Sequence, residues 1–434
     1  MADSMLLRTK RVVSLPTLLL VVALVSTAFP LAASASIAHP SVVSANPANF
    51  TPNVQDDAVV ANAAVYGLNQ SGSTMYAGGT FRTVRNAART VAYTRYNLMA
   101  FDATTGAMRS FAPVLNAPVW GVATSGNALY VAGEFTTVNG VARRGLVKLD
   151  GTTGAVDPAF NAAFPSGKGR EVRLVGGRLL VSGSFPKRLV ALNPATGADT
   201  GYINAGISGS VASNAGPTEV YRFAVNPAAT RLVGIGNFTS VGGQSHWRAF
   251  MLNLGTTSAT VNAWNYLPLR NLCASTSLPD YLKDVDFSPD GAYFVFISTG
   301  YVPATTAQIG TAICDAAARF ETNVAAPSKP TWINYTGGDT LHSVAATGAA
   351  VYVQGHQRWL DNPYGRDFAG PGAVSRKGIG AINPTTGKAL SWNPGKDQGV
   401  GGKDFYASPA GLWVGSDGRY FAGEYRQGVA FCPL

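Results

Sequence analysis

Short apolar segments recur along the chain, and turns rich in glycine separate them. One of these segments, Tyr130–Gly140, reads YVAGEFTTVNG, and related segments begin at Tyr76, Leu180 and Val233. Each contains a small residue, then any residue, then Phe. Short apolar runs bounded by turn residues are typical of β-strands. The pattern therefore predicts a strand that is repeated along the chain.

The position of Gly133 can be followed through the whole repeat. Equivalent positions recur at intervals of 50–61 residues, which is typical of four-stranded units with long loops. They are Gly79, Gly133, Gly183, Gly236, Ile297, Gly355 and Ser416. An apolar inner strand precedes each position, so the chain holds seven units. In four of them Phe81, Phe135, Phe185 and Phe238 are predicted to fill the gap to a neighbouring sheet.

A second motif marks a turn before the last strand of a unit. It reads DATTGAM, DGTTGAV, NPATGAD, NLGTTSAT and NPTTGKA, beginning at Asp102, Asp150, Asn193, Asn253 and Asn383. An Asx side chain can accept hydrogen bonds from the backbone two residues further on, and Gly adopts a positive φ without strain. Each motif therefore predicts a tight turn between two strands.

The two ends of the chain complement each other. The seventh unit ends at Leu434 directly after its third strand, whereas the residues before Ala58 resemble an outer strand without an inner one. The fold prediction is all-β, with seven sheets around an axis and the N-terminal strand completing the last sheet. Such a ring leaves no sheet edge open for aggregation.

The first residues resemble a secretion signal. Arg8, Lys10 and Arg11 precede the apolar stretch Leu15–Ala33, and small residues follow up to Ala35. This order is typical of a cleaved signal peptide. We predict a signal peptide over residues 1–35, a single domain over 36–434, and secretion with no stable membrane span after cleavage. The alternative is an uncleaved membrane anchor, because the apolar run approaches spanning length.

Charge and cysteine content refine this interpretation. The net charge is +10, but Lys and Arg are scattered and charged residues make up 13 % of the chain. A solvated surface explains this pattern better than a binding site for anionic cell-wall polymers, acidic glycans or nucleic acid does, and we find no nucleic-acid motif. In an oxidising compartment Cys273 and Cys314 are predicted to form a disulfide. Cys432 is predicted to be a buried thiol in the last strand.

The segments YVAGEFTTVNG, GLVKLDGTTGAVDPAF and GHQRWLDNP resemble the secreted bacterial, actinobacterial-type β-propellers built from delta-60-like repeats. The resemblance covers most of the chain after Ala58 and is faintest in the fifth unit, where FVFISTG replaces the small-x-Phe core. It implies a seven-bladed β-propeller and an extracellular or cell-wall-associated location. The family is largely uncharacterised, so the resemblance transfers no catalytic residue.

Propellers bind ligands at the ends of their central channel, where each blade can contribute a residue outside the repeat. Counting back from the Gly133 position predicts seven channel-mouth residues. They are Tyr66, Trp120, Arg170, Tyr221, Asp284, His342 and Lys403. Aromatic and cationic side chains could stack on a ring and hold an anionic or hydroxylated group. The alternative is that they pack between blades or are solvated.

A second candidate site is the loop Gln354–Phe368, which interrupts the sixth unit. Its residues His356, Arg358, Trp359 and Tyr364 would place two aromatic rings and two polar groups on an exposed loop. That composition suits recognition of a carbohydrate or a protein. The alternative is that Trp359 plugs the edge of the blade.

Enzyme signatures are mostly absent from the sequence, which lacks metal-ligand spacing, a nucleophile elbow and a phosphate-binding loop. We therefore favour a monomeric secreted or wall-associated module that binds a carbohydrate, a cell-wall polymer or a protein. No cofactor is predicted, although calcium held by carbonyls and scattered Asp residues is an open alternative. The alternative function is an extracellular propeller enzyme, a lyase, hydrolase or quinone-type oxidoreductase, with its site at the channel mouth.

Overall fold

The computed structural model describes Met1 and residues 37–434, except 212–215, 271–272, 276–281 and 400. Apart from Met1, the predicted signal peptide lies outside the described residues. The strands all belong to one compact unit, Ala32–Leu434. The described residues contain no α-helix, and their two short 3-10 helices are Leu267–Arg270 and Thr306–Gln308. The prediction of an all-β chain is therefore confirmed.

The described residues form 34 strands, numbered here in chain order. The first are β1 (Asn53–Gln55), β2 (Ala64–Ser71), β3 (Thr74–Thr80), β4 (Thr83–Arg85), β5 (Ala92–Thr94), β6 (Leu98–Asp102), β7 (Val119–Ser125), β8 (Ala128–Gly133), β9 (Thr137–Val138), β10 (Val141–Ala142), β11 (Leu146–Asp150), β12 (Gly169–Val175), β13 (Arg178–Gly183) and β14 (Leu189–Leu192). The next are β15 (Glu219–Val225), β16 (Arg231–Asn237), β17 (Ser240–Val241), β18 (Gln244–Ser245), β19 (Ala249–Leu254), β20 (Ala259–Val261), β21 (Leu282–Phe287), β22 (Tyr293–Ser298), β23 (Ala316–Glu321) and β24 (Trp332–Tyr335). The last are β25 (Leu341–Ala346), β26 (Val351–Gly355), β27 (Trp359–Leu360), β28 (Val374–Ser375), β29 (Ile379–Ile382), β30 (Gly402–Ser408), β31 (Gly411–Ser416), β32 (Tyr420–Phe421), β33 (Glu424–Tyr425) and β34 (Val429–Pro433).

Seven antiparallel sheets of three or four strands carry the repeat within the described residues. They are sheet 1 (β2, β3, β6), sheet 2 (β7, β8, β11), sheet 3 (β12, β13, β14), sheet 4 (β15, β16, β19, β20), sheet 5 (β21–β24), sheet 6 (β25, β26, β29) and sheet 7 (β30, β31, β34). Two-stranded hairpins extend from several of them, and β4 pairs with both β1 and β5.

The first strand of each sheet contacts the first strand of the next sheet, and β30 of sheet 7 contacts β2 of sheet 1. An apolar cluster of buried side chains fills each of the seven gaps between neighbouring sheets. In the gap between sheets 7 and 1, for example, Trp413 and Phe431 pack with Val65 and Phe101. Burial of apolar surface between sheets is the main stabilising contribution in such an arrangement.

The repeated Phe residues lie in these gaps, as the sequence predicted. Phe81, Phe135, Phe185 and Phe238 are fully buried. Each belongs to the cluster between its own sheet and the preceding one. Their function is therefore packing.

The repeated glycine has a role in the backbone of its own sheet. A Cβ added to Gly183 would lie 2.0 Å from the carbonyl oxygen of Lys168, and one on Gly79 would lie 1.9 Å from that of Ala64. Ala64 begins the first strand of sheet 1 and Lys168 directly precedes the first strand of sheet 3, and both lie next to the bulge of that strand. The glycine therefore makes room for a β-bulge within a sheet and not for the approach of two sheets.

The turn motif behaves as predicted in four units. The side chains of Asp102, Asp150, Asn193 and Asn383 each accept hydrogen bonds from the backbone N–H groups two and three residues further on. In the fourth unit Asn253 accepts from the Asn262 amide at 2.6 Å instead.

The outer strand that should follow the motif is shorter than expected. It is a regular strand in sheets 4 and 5, whereas in sheets 1, 2, 3 and 6 it shrinks to one isolated bridge. After three of these bridges a proline follows, Pro113, Pro158 or Pro394. Proline lacks the N–H donor that would extend the pairing.

The N-terminal segment lies along sheet 7 without forming a regular strand there. The backbone N–H groups of Ser44 and Ala48 donate to the carbonyls of Pro433 and Phe431 at 2.7 and 2.8 Å. The Phe50 ring packs on Phe431, with the ring centroids 5.8 Å apart. Strand β1, a few residues further on, pairs with β4.

The cysteines are arranged as the sequence predicted. Cys273 and Cys314 form a disulfide with their Cα atoms 5.6 Å apart. Cys432 is a free, buried thiol in β34. Burial raises the pKa of this thiol, which makes it inert rather than nucleophilic.

Candidate functional site

A β-bulge occurs at the start of the first strand in all seven sheets. The extra residue of each bulge is left out of the pairing register, and bulges often redirect a side chain. The bulge residues are Tyr66, Trp120, Arg170, Tyr221, Lys283, His342 and Lys403. All seven are partly exposed.

Six of these residues were predicted from the sequence, and the seventh corrects the prediction. In sheet 5 the bulge falls between Leu282 and Asp284, so Lys283 and not Asp284 is equivalent to the others. The partner of Leu282 is Ser298, so Ser298 and not Ile297 occupies the position of Gly133. The hairpin between β21 and β22 is longer than that between β7 and β8, so counting back from the marker position displaced the register of sheet 5 by one residue.

Most of the bulge residues line one cavity of about 300 Å³, called here the mouth cavity. Its described lining residues are Trp120, Arg170, Tyr221, Arg222, Leu282, Lys283, His342, Gly402 and Lys403. They come from sheets 2 to 7. The structure therefore brings six of the seven equivalent positions together.

Tyr66 does not line this cavity, because it belongs to a stack beside it. The rings of Tyr66 and Trp120 are nearly parallel, with their centroids 4.4 Å apart. The Arg170 guanidinium lies 4.5 Å from the centroid of the Trp120 ring, and the Lys403 ammonium lies 5.8 Å from that of Tyr66. The stack joins four neighbouring sheets in ring order, so both aromatic rings already have partners within the protein.

Glu219 forms an ion pair with Arg170, and Glu134 accepts hydrogen bonds from two residues beside it. The Arg170 Nε donates to Glu219 at 2.8 Å, and Glu219 is buried. Glu134 accepts hydrogen bonds from Lys168 at 2.8 Å and from the Trp120 indole at 3.1 Å. The charge of Arg170 is thus balanced by a carboxylate of the neighbouring sheet, which leaves Arg170 in a positioning role.

Three other basic residues of the mouth, Lys283, Lys403 and His342, lose protons more readily than usual. Burial, followed by the charges of Lys403 and Arg170, lowers the pKa of Lys283 to about 7. Burial also lowers the pKa of Lys403. The pKa of His342 lies well below its ordinary value, because the imidazole is buried near Lys283 and Lys403. Desolvation and like charges both disfavour the protonated forms.

A second layer of charged residues lies one to three positions further along the same strands. It surrounds a smaller space of about 110 Å³, called here the inner cavity, to which all seven sheets contribute. Its charged residues are Glu171, Arg173, Arg222, Asp284, Asp286 and Asp404. Glu171 pairs with Arg222 and with Arg173, the latter at 3.1 Å. This layer was not predicted, although the acidic and basic residues beside the bulge positions are visible in the sequence.

The aspartates of the inner cavity connect neighbouring sheets. Asp404 of sheet 7 accepts from the backbone N–H of Leu68 in sheet 1 at 2.8 Å. Asp284 of sheet 5 accepts from the N–H of Val344 in sheet 6 at 3.0 Å. Burial raises the pKa of Asp284 to about 6 and that of Asp404 to about 8. Asp284 therefore has a structural partner within the ring.

Three of the four candidate residues in the loop of the sixth unit contact other residues, and the fourth is exposed. Arg358 pairs with buried Asp339 at 2.8 Å and lies 4.4 Å from the centroid of the Trp359 ring. The His356 Nδ1 lies 3.0 Å from the carbonyl oxygen of Gly399. Tyr364 is 58 % exposed. Arg358 and Trp359 thus contact each other, and Tyr364 points to solvent.

Within the described residues, no three His, Cys, Asp or Glu side chains converge in a way that could hold a metal ion. The same part of the chain contains no helix with the length and apolar character needed to cross a bilayer. Calcium binding therefore stays a prediction from the sequence.

Comparison with known proteins adds a family match over part of the chain. The family model described as "Domain of unknown function (DUF5122) beta-propeller" matches residues 127–160. This segment runs from β8 through β11 and the following turn motif. The match is to a β-propeller family and covers this segment alone. No curated protein matches the sequence of the chain.

Two solved structures are similar to this propeller. One is the β-propeller domain of Cps50 (Swd1) from Myceliophteria thermophila, with 11 % identity, a TM-score of 0.43, and coverage of 67 % of this chain and 79 % of that one. The other is the computationally designed Ika8 protein, with 9 % identity, a TM-score of 0.47, and coverage of 88 % of this chain and 98 % of that one.

Proposed function

We propose that the chain is a seven-bladed β-propeller that is secreted or associated with the cell wall and binds a polymer or a protein at its channel mouth. The convergence of six bulge residues on one cavity carries this proposal. Bulges next to binding sites commonly re-aim side chains. Here the same device recurs in every sheet, while the side chain that it presents differs from sheet to sheet. Variation on a repeated frame is what a specific ligand site requires.

The N-terminal segment completes the last blade in this proposal. The hydrogen bonds of Ser44 and Ala48 to β34, and the packing of Phe50 on Phe431, support this arrangement. Closing the ring in this way protects the outer edge of sheet 7. A monomer then needs no partner chain to cover that edge.

The proposed location rests on two observations. The first residues have the order of a signal peptide, and the Cys273–Cys314 bond needs an oxidising compartment to persist. The extracellular-enzyme alternative stays a prediction from the sequence.

Retention on immobilised ligands tests the proposed function. The purified protein is passed over arrays of cell-wall polymers, polysaccharides and secreted proteins. We expect at least one of them to retain it, and the variant Tyr221→Ala to lose most of that retention because Tyr221 lines the mouth cavity. The matched control is Tyr364→Ala, on the exposed loop. A protein that no array retains, or a ligand lost through Tyr364→Ala alone, would contradict binding at the mouth.

A further inference from the structure

We infer that the mouth cavity binds one compact anionic group of its ligand, a carboxylate or a phosphate, between Lys283, Lys403 and His342. This inference rests on the proposed function, because it assumes that the mouth is the ligand site. It adds the chemical class of the group that is recognised. The argument depends on the charges that line the cavity, their partners and the size of the space.

The described lining of the mouth cavity contains four Lys or Arg residues and one His, but no Asp or Glu. Two of the cations are balanced outside the cavity. Arg170 pairs with Glu219 at 2.8 Å, and Arg222 pairs with Glu171. The lining therefore presents more positive than negative groups to a partly open space, and the field of such a lining concentrates anions.

The backbone determines where the two lysines of the mouth cavity lie. Lys283 and Lys403 both occupy bulge positions, two sheets apart, with the bulge residue His342 on the sheet between them. The backbone of Gly401, directly before β30, lies close to the His342 ring. A Cβ added to Gly401 would lie 2.2 Å from that ring. Bulges on rigid strands fix side chains more precisely than loops do.

The charged groups around Lys283 explain how an anion would act. Lys403 and Arg170 oppose its protonation and Asp315 favours it. The groups around His342, which are Lys283, Lys403, Lys396 and His356, all oppose protonation, whereas Asp417 favours protonation of Lys403. An anion between these groups would offset their repulsion and favour the charged forms. Binding near neutral pH should therefore be accompanied by proton uptake.

The volume of the mouth cavity limits the part of the ligand that it can hold to a small chemical group. A cavity of about 300 Å³ is at the lower end of the range for ligand pockets. Lysine ammonium groups act as point charges and accept carboxylate and phosphate alike. The two sources of negative charge therefore have to be distinguished by experiment.

Isothermal titration calorimetry at pH 7.5 tests the inference with three probes. They are glucuronate for the carboxylate, inorganic phosphate, and glucose as the neutral counterpart of glucuronate. Each titration is repeated in two buffers that differ in ionisation enthalpy, so that proton uptake is measured directly. We expect glucuronate or phosphate to bind with proton uptake and glucose to bind at least about tenfold more weakly. The anion that binds more tightly identifies the source.

Lysine variants locate the effect. Lys283→Met and Lys403→Met should each weaken anion binding about tenfold or more and reduce the proton uptake. The exposed Lys329→Met is the control and should change neither quantity. Circular dichroism confirms that each variant is folded, and Lys283→Gln or Lys403→Gln replaces the Met variant of the same lysine if that variant is not folded.

Three outcomes would overturn the inference: glucose binding as tightly as glucuronate, neither anion binding to the folded protein, or anion binding without proton uptake. The proposed function has a separate test. If an array retains the protein through Tyr221 while neither anion binds, the mouth is a ligand site for a neutral group. The inference then fails and the proposed function stands.

Discussion

The carboxyl group of Asp404 shows how single residues set the electrostatics of the channel. It lies in the inner cavity near Arg222, Glu171 and Asp284, and it accepts a hydrogen bond from the Leu68 N–H. Burial and the two carboxylates raise its pKa to about 8, despite the opposing charge of Arg222. A buried carboxyl with a raised pKa favours the folded state when it is protonated and opposes it when it is ionised.

The variant Asp404→Asn tests this electrostatic role. A folded-state pKa raised above the unfolded value near 3.8 gives stability that is present at low pH and lost as the pH rises through about 8. Asparagine does not ionise, so the variant should gain stability relative to the wild type between pH 5 and pH 9. We expect a relative gain of about 4 kcal/mol in urea unfolding, most of it below pH 8.

The control for this measurement is Asp199→Asn, in an exposed ion pair with Lys187. Its stability difference from the wild type should stay nearly constant over the same range of pH, because exposed pairs contribute little. A difference for Asp404→Asn that is constant, or that falls as the pH rises, would show that Arg222 keeps the carboxylate ionised.

At the scale of the element, the β-bulge connects the repeat to the candidate site. The repeated glycine leaves room for the bulge carbonyl, and the bulge residue then faces the mouth cavity. The pairing of the first two strands and the position of the bulge residue therefore both depend on the β-bulge. Adding a methyl group at the glycine should disturb both.

Gly183→Ala is the sharpest test of this coupling. The new Cβ would lie 2.0 Å from the Lys168 carbonyl oxygen and 3.2 Å from the Cα of Gly169, so the bulge that carries Arg170 would have to shift. We expect a loss of about 3 kcal/mol in unfolding free energy. Gly418→Ala is the control, since its Cβ meets no atom closer than 3.4 Å, and it should cost less than about 1 kcal/mol. Equal stabilities of the two variants would contradict the role of the bulge.

The sequence predicts strands and turns well but the channel less well, for physical reasons. The turn motifs and the buried Phe residues depend on neighbours within a few positions, so local chemistry is sufficient to predict them. The register of sheet 5 depends on the length of the hairpin between β21 and β22, and that longer hairpin displaced the predicted position from Lys283 to Asp284. The inner cavity depends on contacts between sheets, such as that of Glu171 with Arg222, which no local pattern encodes.

At the scale of the whole molecule, the arrangement of the sheets explains why distant residues meet. Each first strand contacts the next, and sheet 7 contacts sheet 1. Residues as far apart in sequence as Leu68 and Asp404 therefore share a hydrogen bond of 2.8 Å. The N-terminal segment strengthens the junction, with the Phe50 ring packed against Trp413 and Phe431.

A crystal structure of the mature protein, grown with the most tightly bound ligand, tests the central claim most directly. The claim is that each of seven sheets has a bulge at the start of its first strand, and that six of the bulge residues line a shared channel mouth. We expect seven sheets in a ring, residues 44–48 along the edge of the seventh, and the ligand within contact distance of Lys283, His342 and Lys403. A different number of sheets, or a ligand bound on the outer rim while these three side chains point into separate gaps, would contradict it.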